Sequence, residues 1–390
     1  MTTIYIVIQT QQVSLYLSIP VTLFGRVTSW YREQLFLFTR YYYPTNFPMF
    51  CGKSLVNNFY KYKRKVWQNV IPIAQRCKGT YHPPKILFFG TDNFSLPSLQ
   101  ALHKNCGDRL GVVTSFKSPA NCVRTYAEKE KLPLQKWPID PSVCPQFDLG
   151  VVVSFGHLIP ANIINGFPHG MINVHASLLP KWRGAAPIIY AIMKGDASTG
   201  VSIMKIEPHR FDIGDILAQR VVDIKPDVFM PDLHASLATL GADLLVDTVN
   251  NLSLRLKEAK PQDSTRASYA PKITSKITEI IWSELSAFEI YTRHRALYGY
   301  KNLTTSFLGK QVQLLELRLP EKGVPVQEPG VISYLRKSRS LIIGCAQQSQ
   351  LEVLQLRVEG RKPMSAQDFN NGFLKQARSL SFTENKLASI

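Results

Sequence analysis

The segment 171–188, MINVHASLLPKWRGAAPI, sets an amide, Asn173, two residues before an imidazole, His175, and follows them with two cations around a tryptophan. In an extended strand, side chains at i and i+2 leave the same face. An amide donor and an imidazole aimed at one point suit a carbonyl oxygen that gains negative charge as a nucleophile adds to its carbon. Asp212, within 207–216 (EPHRFDIGDI), is the nearest carboxylate that could orient the imidazole or take a proton. Each residue alone has an ordinary explanation: a strand histidine packs in a core or on a surface, and an aspartate before Ile-Gly forms a turn. Grouped at one edge of one sheet, they read as chemistry. The six cysteines are scattered, with no C-x-x-C, so neither a zinc site nor a disulfide framework is expected, and reduced thiols are the default.

The elements that must position these residues begin at Lys85. KILFFG, LGVVTSF, FDLGVVVSFG, GMINVHAS and TGVSIMKI are continuous apolar runs, and helical stretches such as ANCVRTYAEKEK stand between them. That alternation predicts an α/β fold with a parallel sheet covered on both faces. Residues 230–252 carry apolar positions at helical spacing and close the unit. In open parallel sheets the ligand sits at the carboxyl ends of the strands, which here carry 154–156 (SFG), 173–177 (NVHAS) and 207–216. ILFFGTDNF has one glycine where a dinucleotide fold would show G-x-G-x-x-G, so NAD or FAD is not supported. Beyond a polar linker, KNLTTSF, QVQLLELRLP, GVISYLR, SLIIGCA and LEVLQLRV predict a small barrel of short strands.

The charge is segregated. Of the net +18, residues 1–84 hold 10 basic against 1 acidic side chain, 85–252 hold 15 of each, and 253–390 hold 21 against 12. A basic end suggests a polyanionic partner or an address. No acidic residue occurs between Glu33 and Asp92, and the stretch after Met49 mixes Lys, Arg, Ser and aromatic residues. That is the composition of a mitochondrial transit peptide, with a basic nucleic-acid-binding arm as the alternative. Translation is expected to start at Met49. The apolar run near the start is broken by Gln and Pro, so no membrane span is expected.

NVHASLLPKWRGAAPI, preceded by VVVSFGHLIP and followed by GDASTGVSIMKIEPHRFDIGDIL, closely resembles the 10-formyltetrahydrofolate-dependent formyltransferases. Within them it is most similar to the branch that formylates methionyl-tRNA, because SYAPKITSKITEIIWSELSA and LEVLQLRVEGRKPMSAQDFNNG resemble that branch's linker and closing elements. The resemblance covers about 85–375. It implies an open, mostly parallel Rossmann-like formyltransferase sheet over 85–252, a linker over 253–275 and an OB-like β-barrel that binds tRNA over 276–390, with 1–84 as an extension. It also implies 10-formyltetrahydrofolate as co-substrate, no metal, methionyl initiator tRNA as acceptor, no obligate protein partner, a monomer, and the mitochondrial matrix as location.

Residue by residue, Asn173 and His175 match the family's catalytic Asn and His, and Asp212 matches the Asp of its D-x-G element. Ser177, Leu178, Leu179 and Pro180 match a folate-contacting loop, and the backbone at Phe155, Gly156 and His157 is expected to line the pterin pocket. Lys181 and Arg183 either meet the phosphates of the tRNA acceptor end or brace their own loop, with Trp182 packed inward. In the C-terminal part, 295–302, 334–340 and 359–364 are the basic candidates for RNA contact. The chain departs from the family in three places. SFKSPANCVRTYAEKE replaces a longer basic insertion, KIEPHRFDIG is one residue longer before the Asp, and RALYGYKN replaces a Pro- and Trp-containing stretch. The competing functions are formyl transfer to a small amine and tRNA binding without catalysis. Removal of residues after Ala270 is expected to raise the tRNA requirement steeply and leave the folate pocket occupied.

Overall fold

The computed structural model describes the backbone of 3–10 and 13–20, and residues 83–384 apart from His209, Lys322 and Arg378. The chain divides into two units, 1–81 and 82–390. In the first, Thr3–Thr10 and Val13–Pro20 pair as an antiparallel hairpin. The targeting segment and the start at Met49 fall on 21–82 and lie outside the described residues. Among the described residues, no helix is long and apolar enough to cross a membrane.

The second unit opens with β1 (Ile86–Gly90), α1 (Ser95–Cys106), β2 (Leu110–Thr114), α2 (Cys122–Lys129), β3 (Leu134–Lys136), β4 (Leu149–Val153), α3 (Ala161–Ile164), β5 (Met171–His175), α4 (Pro187–Met193), β6 (Ser198–Lys205), β7 (Ile216–Asp223) and α5 (Met230–Asn250). The seven strands form one sheet in the order β3-β2-β1-β4-β5-β6-β7. Strands β1, β2 and β4 are buried throughout because both faces are covered. Alternate residues serve opposite layers. Ile86, Phe88, Val151, Val153, Ile172 and Val174 enter the core beneath α1 and α5. Leu87, Phe89, Val113, Val152 and Met171 enter a second, aromatic-rich core with Phe155 and Phe167.

The strands from β1 to β5 pair in parallel, whereas β6 pairs antiparallel with β5 and β7 antiparallel with β6, so the sheet is mostly parallel, as the resemblance implies. The connection 176–197, which contains α4, leaves β5 at its His175 end and enters β6 from that same end, with His175 opposite Ser202 and Ile172 opposite Lys205. Strands β3 and β7, not read from the sequence, are sheet edges: β3 is three residues in a Pro-rich run, and β7 leaves Gln219, Arg220 and Val221 exposed.

Beyond α6 (Leu252–Lys257) and α7 (Ala287–Leu297), a second, antiparallel sheet contains β8 (Leu303–Phe307), β9 (Lys310–Arg318), β10 (Ile332–Leu335), β11 (Ser340–Cys345) and β12 (Ser349–Val358), in the order β8-β9-β12-β11-β10. Each corresponds to one of the five short runs in the sequence. The two-residue β13 (Met364–Ser365) pairs with β12, and α8 (Ala366–Gly372) follows. The segment 380–383 bonds both edges of this sheet: Thr383 exchanges backbone hydrogen bonds with Ser306, while Leu380 accepts from Ile332 and Phe382 donates to Gly330. Helix α7 starts at a capping box in which Ser286 and Glu289 satisfy each other's backbone N–H. It packs against α4, and one continuous apolar core runs from the first sheet through α5 and α7 into the second.

Candidate active site

Strand β5 buries Ile172 and Val174 on one side and turns Asn173 and His175 toward a cleft of about 850 Å3 on the other. Both predicted residues line it, as do Phe155, Gly156, His157 and Asp212. Much of the wall is apolar, including Val152, Ile159, Ile164, Met204 and Ile206. The Asn173 amide makes no side-chain hydrogen bond among the described residues, so a donor pair stands ready in the cleft.

His175 is 6% exposed and held by a hydrogen bond at one nitrogen. Nε2 donates to the Trp182 carbonyl at 2.9 Å, because a carbonyl only accepts. Nδ1 faces Asp212 Oδ1 at 3.7 Å, beyond direct hydrogen-bond reach. The imidazole therefore has one nitrogen for chemistry, Nδ1.

Asp212 arrives by a different route from the one its place after β6 suggested. An antiparallel β6 delivers the chain opposite Ile172, the far end of β5 from His175. The segment after Lys205 then folds back across the sheet face until Asp212 meets the imidazole. Asp212 sits at φ +56, in the left-handed region. It is fixed there by Gly184 N–H donating to Oδ2 at 2.9 Å and by Gln262 Nε2 donating to its carbonyl at 3.0 Å. Gly184 itself has φ +116, and a Cβ there would lie 2.7 Å from the Ala270 carbonyl, so glycine is required where the loop passes the linker.

Two groups of predicted residues are placed otherwise. Ser177, Leu178, Leu179 and Pro180 do not line the cleft. Ser177 and Leu179 are buried, and the turn is fastened to the sheet by Ser202 Oγ donating to Ser177 O, Leu179 N–H donating to Ser202 Oγ, and Gln219 Nε2 donating to Leu179 O. These residues shape the loop that carries the Trp182 carbonyl. Of the two readings of Lys181 and Arg183, the structure favours bracing. Arg183 is 5% exposed and its guanidinium donates twice to Gln262 Oε1, at 3.1 and 2.8 Å. Lys181 pairs with Asp196 at 2.8 Å, the same carboxylate that accepts from Trp182 Nε1 at 2.7 Å.

Several cleft residues were not singled out in the sequence. Asp92, at the carboxyl end of β1, accepts from Ser154 Oγ at 2.5 Å, and Thr91 Oγ1 donates to the Ser154 carbonyl at 2.9 Å. These bonds hold Ser154 at φ +45 and aim Phe155 and Gly156 into the cleft. They join the ends of β1 and β4, where the strand order reverses, the place an α/β sheet offers a ligand; GTD after an apolar run was the available signal. Lys272, Ile273 and Tyr300 come from beyond the first sheet, and nothing in their spacing marks them. Among the described residues no cluster of three or more His, Cys, Asp or Glu side chains is arranged for a metal.

A folate-sized apolar cleft at the switch point of such a sheet, with an amide and a His–Asp pair at one end, defines a group-transfer site of the formyltransferase kind. The formyl transferase family model matches 144–249, and the model for its C-terminal domain matches 272–374. The fold is shared with the N-formyltransferase of Helicobacter canadensis, solved with folinic acid and dTDP-3-aminofucose: TM-score 0.55, 18% identity, covering 69% of this chain and 98% of that one. The mitochondrial methionyl-tRNA formyltransferase of Homo sapiens is 36% identical over 309 residues, covering 75% of this chain and 78% of the relative. The methionyl-tRNA formyltransferase of Solibacter usitatus is 33% identical over 303 residues, covering 74% and 95%. The chain belongs to the methionyl-tRNA formyltransferase family.

Proposed function

We propose that this enzyme transfers a formyl group from 10-formyltetrahydrofolate to the α-amine of methionyl-tRNA. The observation that carries the reading is the unpartnered Asn173 amide beside the His175–Asp212 pair at one end of the cleft. The cleft's volume suits a ligand of folate size, and its Phe155–Ile159 wall offers a flat heterocycle apolar faces and backbone edges. When bound, the folate supplies a formyl carbon on a nitrogen leaving group.

The chain's own residues then have separable tasks. The cleft holds the amine and the formyl carbon together, which removes much of the entropic barrier. Asn173 donates to the oxygen that gains charge. His175, locked through Nε2, takes or returns a proton at Nδ1, and Asp212 stabilises the ring when it is charged. No covalent link to the protein is needed, because the attacking nucleophile is an amine.

The same reading assigns 85–252 to catalysis, 253–275 to the linker and 276–390 to tRNA. The hydrogen bonds of 380–383 to both edges of the second sheet support a closed, OB-like barrel. Arg336, Lys337 and Arg339 on its β10–β11 turn, with Arg361 and Lys362 beyond β12, are exposed and have no ion-pair partner among the described residues, as phosphate contacts require. Arg295 is withdrawn from that role, being 4% exposed and bonded to the Val228 carbonyl. The acid-free stretch before Asp92 and the mitochondrial relatives support a transit role for 1–84, work in the matrix and formylation of initiator methionyl-tRNA.

The test is formylation by the purified full chain supplied with 10-formyltetrahydrofolate and methionyl-tRNA. Turnover that disappears in His175→Ala supports the reading. Formylation of small amines alone, or tRNA binding with no turnover, would sink it.

A further inference from the structure

Beside the cleft lies a second hollow of about 780 Å3. It shares Gly184, Arg210 and Phe211 with the first, so the two meet alongside Asp212. Phe211 and Tyr269 both line this hollow, and at 68% and 67% they are the two most exposed of the large apolar side chains among the described residues. Neither ring stacks on another aromatic ring among the described residues. Two open rings beside a catalytic cleft call for an occupant with an apolar face.

Both rings sit on anchored backbone. Arg183 N–H donates to Ser268 O at 2.8 Å and Ala270 N–H to Arg183 O at 2.7 Å, which fastens the chain on either side of Tyr269. Gln262 ties the Arg183 guanidinium to the carbonyls of Asp212 and Gly214, next to Phe211. The hollow is therefore built into the same bonded unit that positions Asp212. Its charge has a sign. Arg210 is exposed and has no ion-pair partner among the described residues, while Asp215 on the wall is neutralised by Lys205 at 3.6 Å.

Exposed aromatic rings with a free cation are how proteins hold an unpaired nucleotide: the base stacks and the phosphate pairs. We propose that this hollow seats the 3′-terminal nucleoside of the acceptor RNA, with Phe211 and Tyr269 against its base and Arg210 on the adjoining phosphate. The inference rests on the reading of the acceptor as an aminoacyl-tRNA. It also explains delivery. The aminoacyl group is esterified to the terminal ribose, so a base held here lets the amine pass Gly184 toward Asn173 and His175.

The experiment is binding of uncharged initiator tRNA to the full chain, with the tRNA either intact or lacking its 3′-terminal nucleotide. Intact tRNA should bind about tenfold more tightly, within the range that stacking of one base supports. Phe211→Ala and Tyr269→Ala should each shrink that gap to about threefold or less, and Phe211→Tyr and Tyr269→Phe should keep it. Tyr269→Ala, at a residue that does not line the first cleft, should also raise the KM for methionyl-tRNA about tenfold with the KM for folate unchanged. Equal affinity of the two tRNAs for the wild-type chain, or a gap that survives both alanine variants, would overturn the proposal. A gap that persists in a wild-type chain unable to formylate methionyl-tRNA would sustain the hollow and overturn the catalytic reading instead.

Discussion

With Nε2 of His175 committed to the Trp182 carbonyl, the proposed mechanism gives charge stabilisation to Asn173 and proton handling to Nδ1. The two roles have different signatures. Asn173→Ala should lower kcat by about 100- to 1,000-fold, the usual loss for one oxyanion donor, with little change in folate KM. Asp212→Asn keeps an oxygen for Gly184 N–H but removes the charge, and kcat should fall by roughly 100-fold or more with near-normal folate affinity. Steady-state kinetics with each substrate varied separately checks both; a rise in folate KM with kcat intact would reassign the residue to binding. The pair Asn173 and His175 was legible because a strand's period of two leaves no other option once β5 is recognised. Ser177, Leu178, Leu179 and Pro180 were misplaced because a turn pressed under a sheet and a turn lining a pocket use the same residues. The choice for Arg183 depended on Gln262, 79 residues away.

Among the elements, α4 lies between β5 and β6 and packs against α7, which links the strand of Asn173 and His175 to the C-terminal half. Helix α7 carries a buried histidine. His294 is 5% exposed, edge-on to Phe229 and Tyr298. Burial, with the adjacent Arg295 charge, pushes its pKa down from 6.5 to about 4. The unfolded chain therefore binds a proton between pH 6.5 and 4 that the folded chain refuses, so stability is complete above this window and lost as pH falls through it. The contribution is up to about 1.4 kcal/mol per pH unit. Urea midpoints at pH 7 and pH 5 should differ less for His294→Phe than for the wild type; equal differences would show that the ring is protonated without cost. The five strands of the second sheet were readable from their alternation, whereas β3 and β7 were missed because edge strands carry weak patterns.

At the scale of the molecule, the expected independence of the two halves does not hold. A continuous core passes from the first sheet through α5 and α7 into the second, and Lys272, Ile273 and Tyr300 complete the catalytic cleft from the C-terminal side. Truncation after Ala270 should therefore cost folate binding and thermal stability together with tRNA use. Charge reversal at Arg336, Lys337 and Arg339 should weaken tRNA binding alone, with a shallower salt dependence. Folate titration and melting curves separate the two outcomes; a truncated chain that binds folate as tightly as the full one would restore the modular picture.

The sequence by itself determined most of the elements and the candidate pair Asn173 and His175, because hydrophobic period, glycine and proline placement and i, i+2 geometry are local properties. Local rules also placed the surplus charge at the ends of the chain. Tertiary structure alone decided the direction of β6, the route of Asp212 to His175, the burial of Arg183 and the share of the C-terminal half in the cleft. Each of these depends on contacts between residues far apart in sequence, whose free energies are set by packing and desolvation at the contact and leave no trace in local spacing.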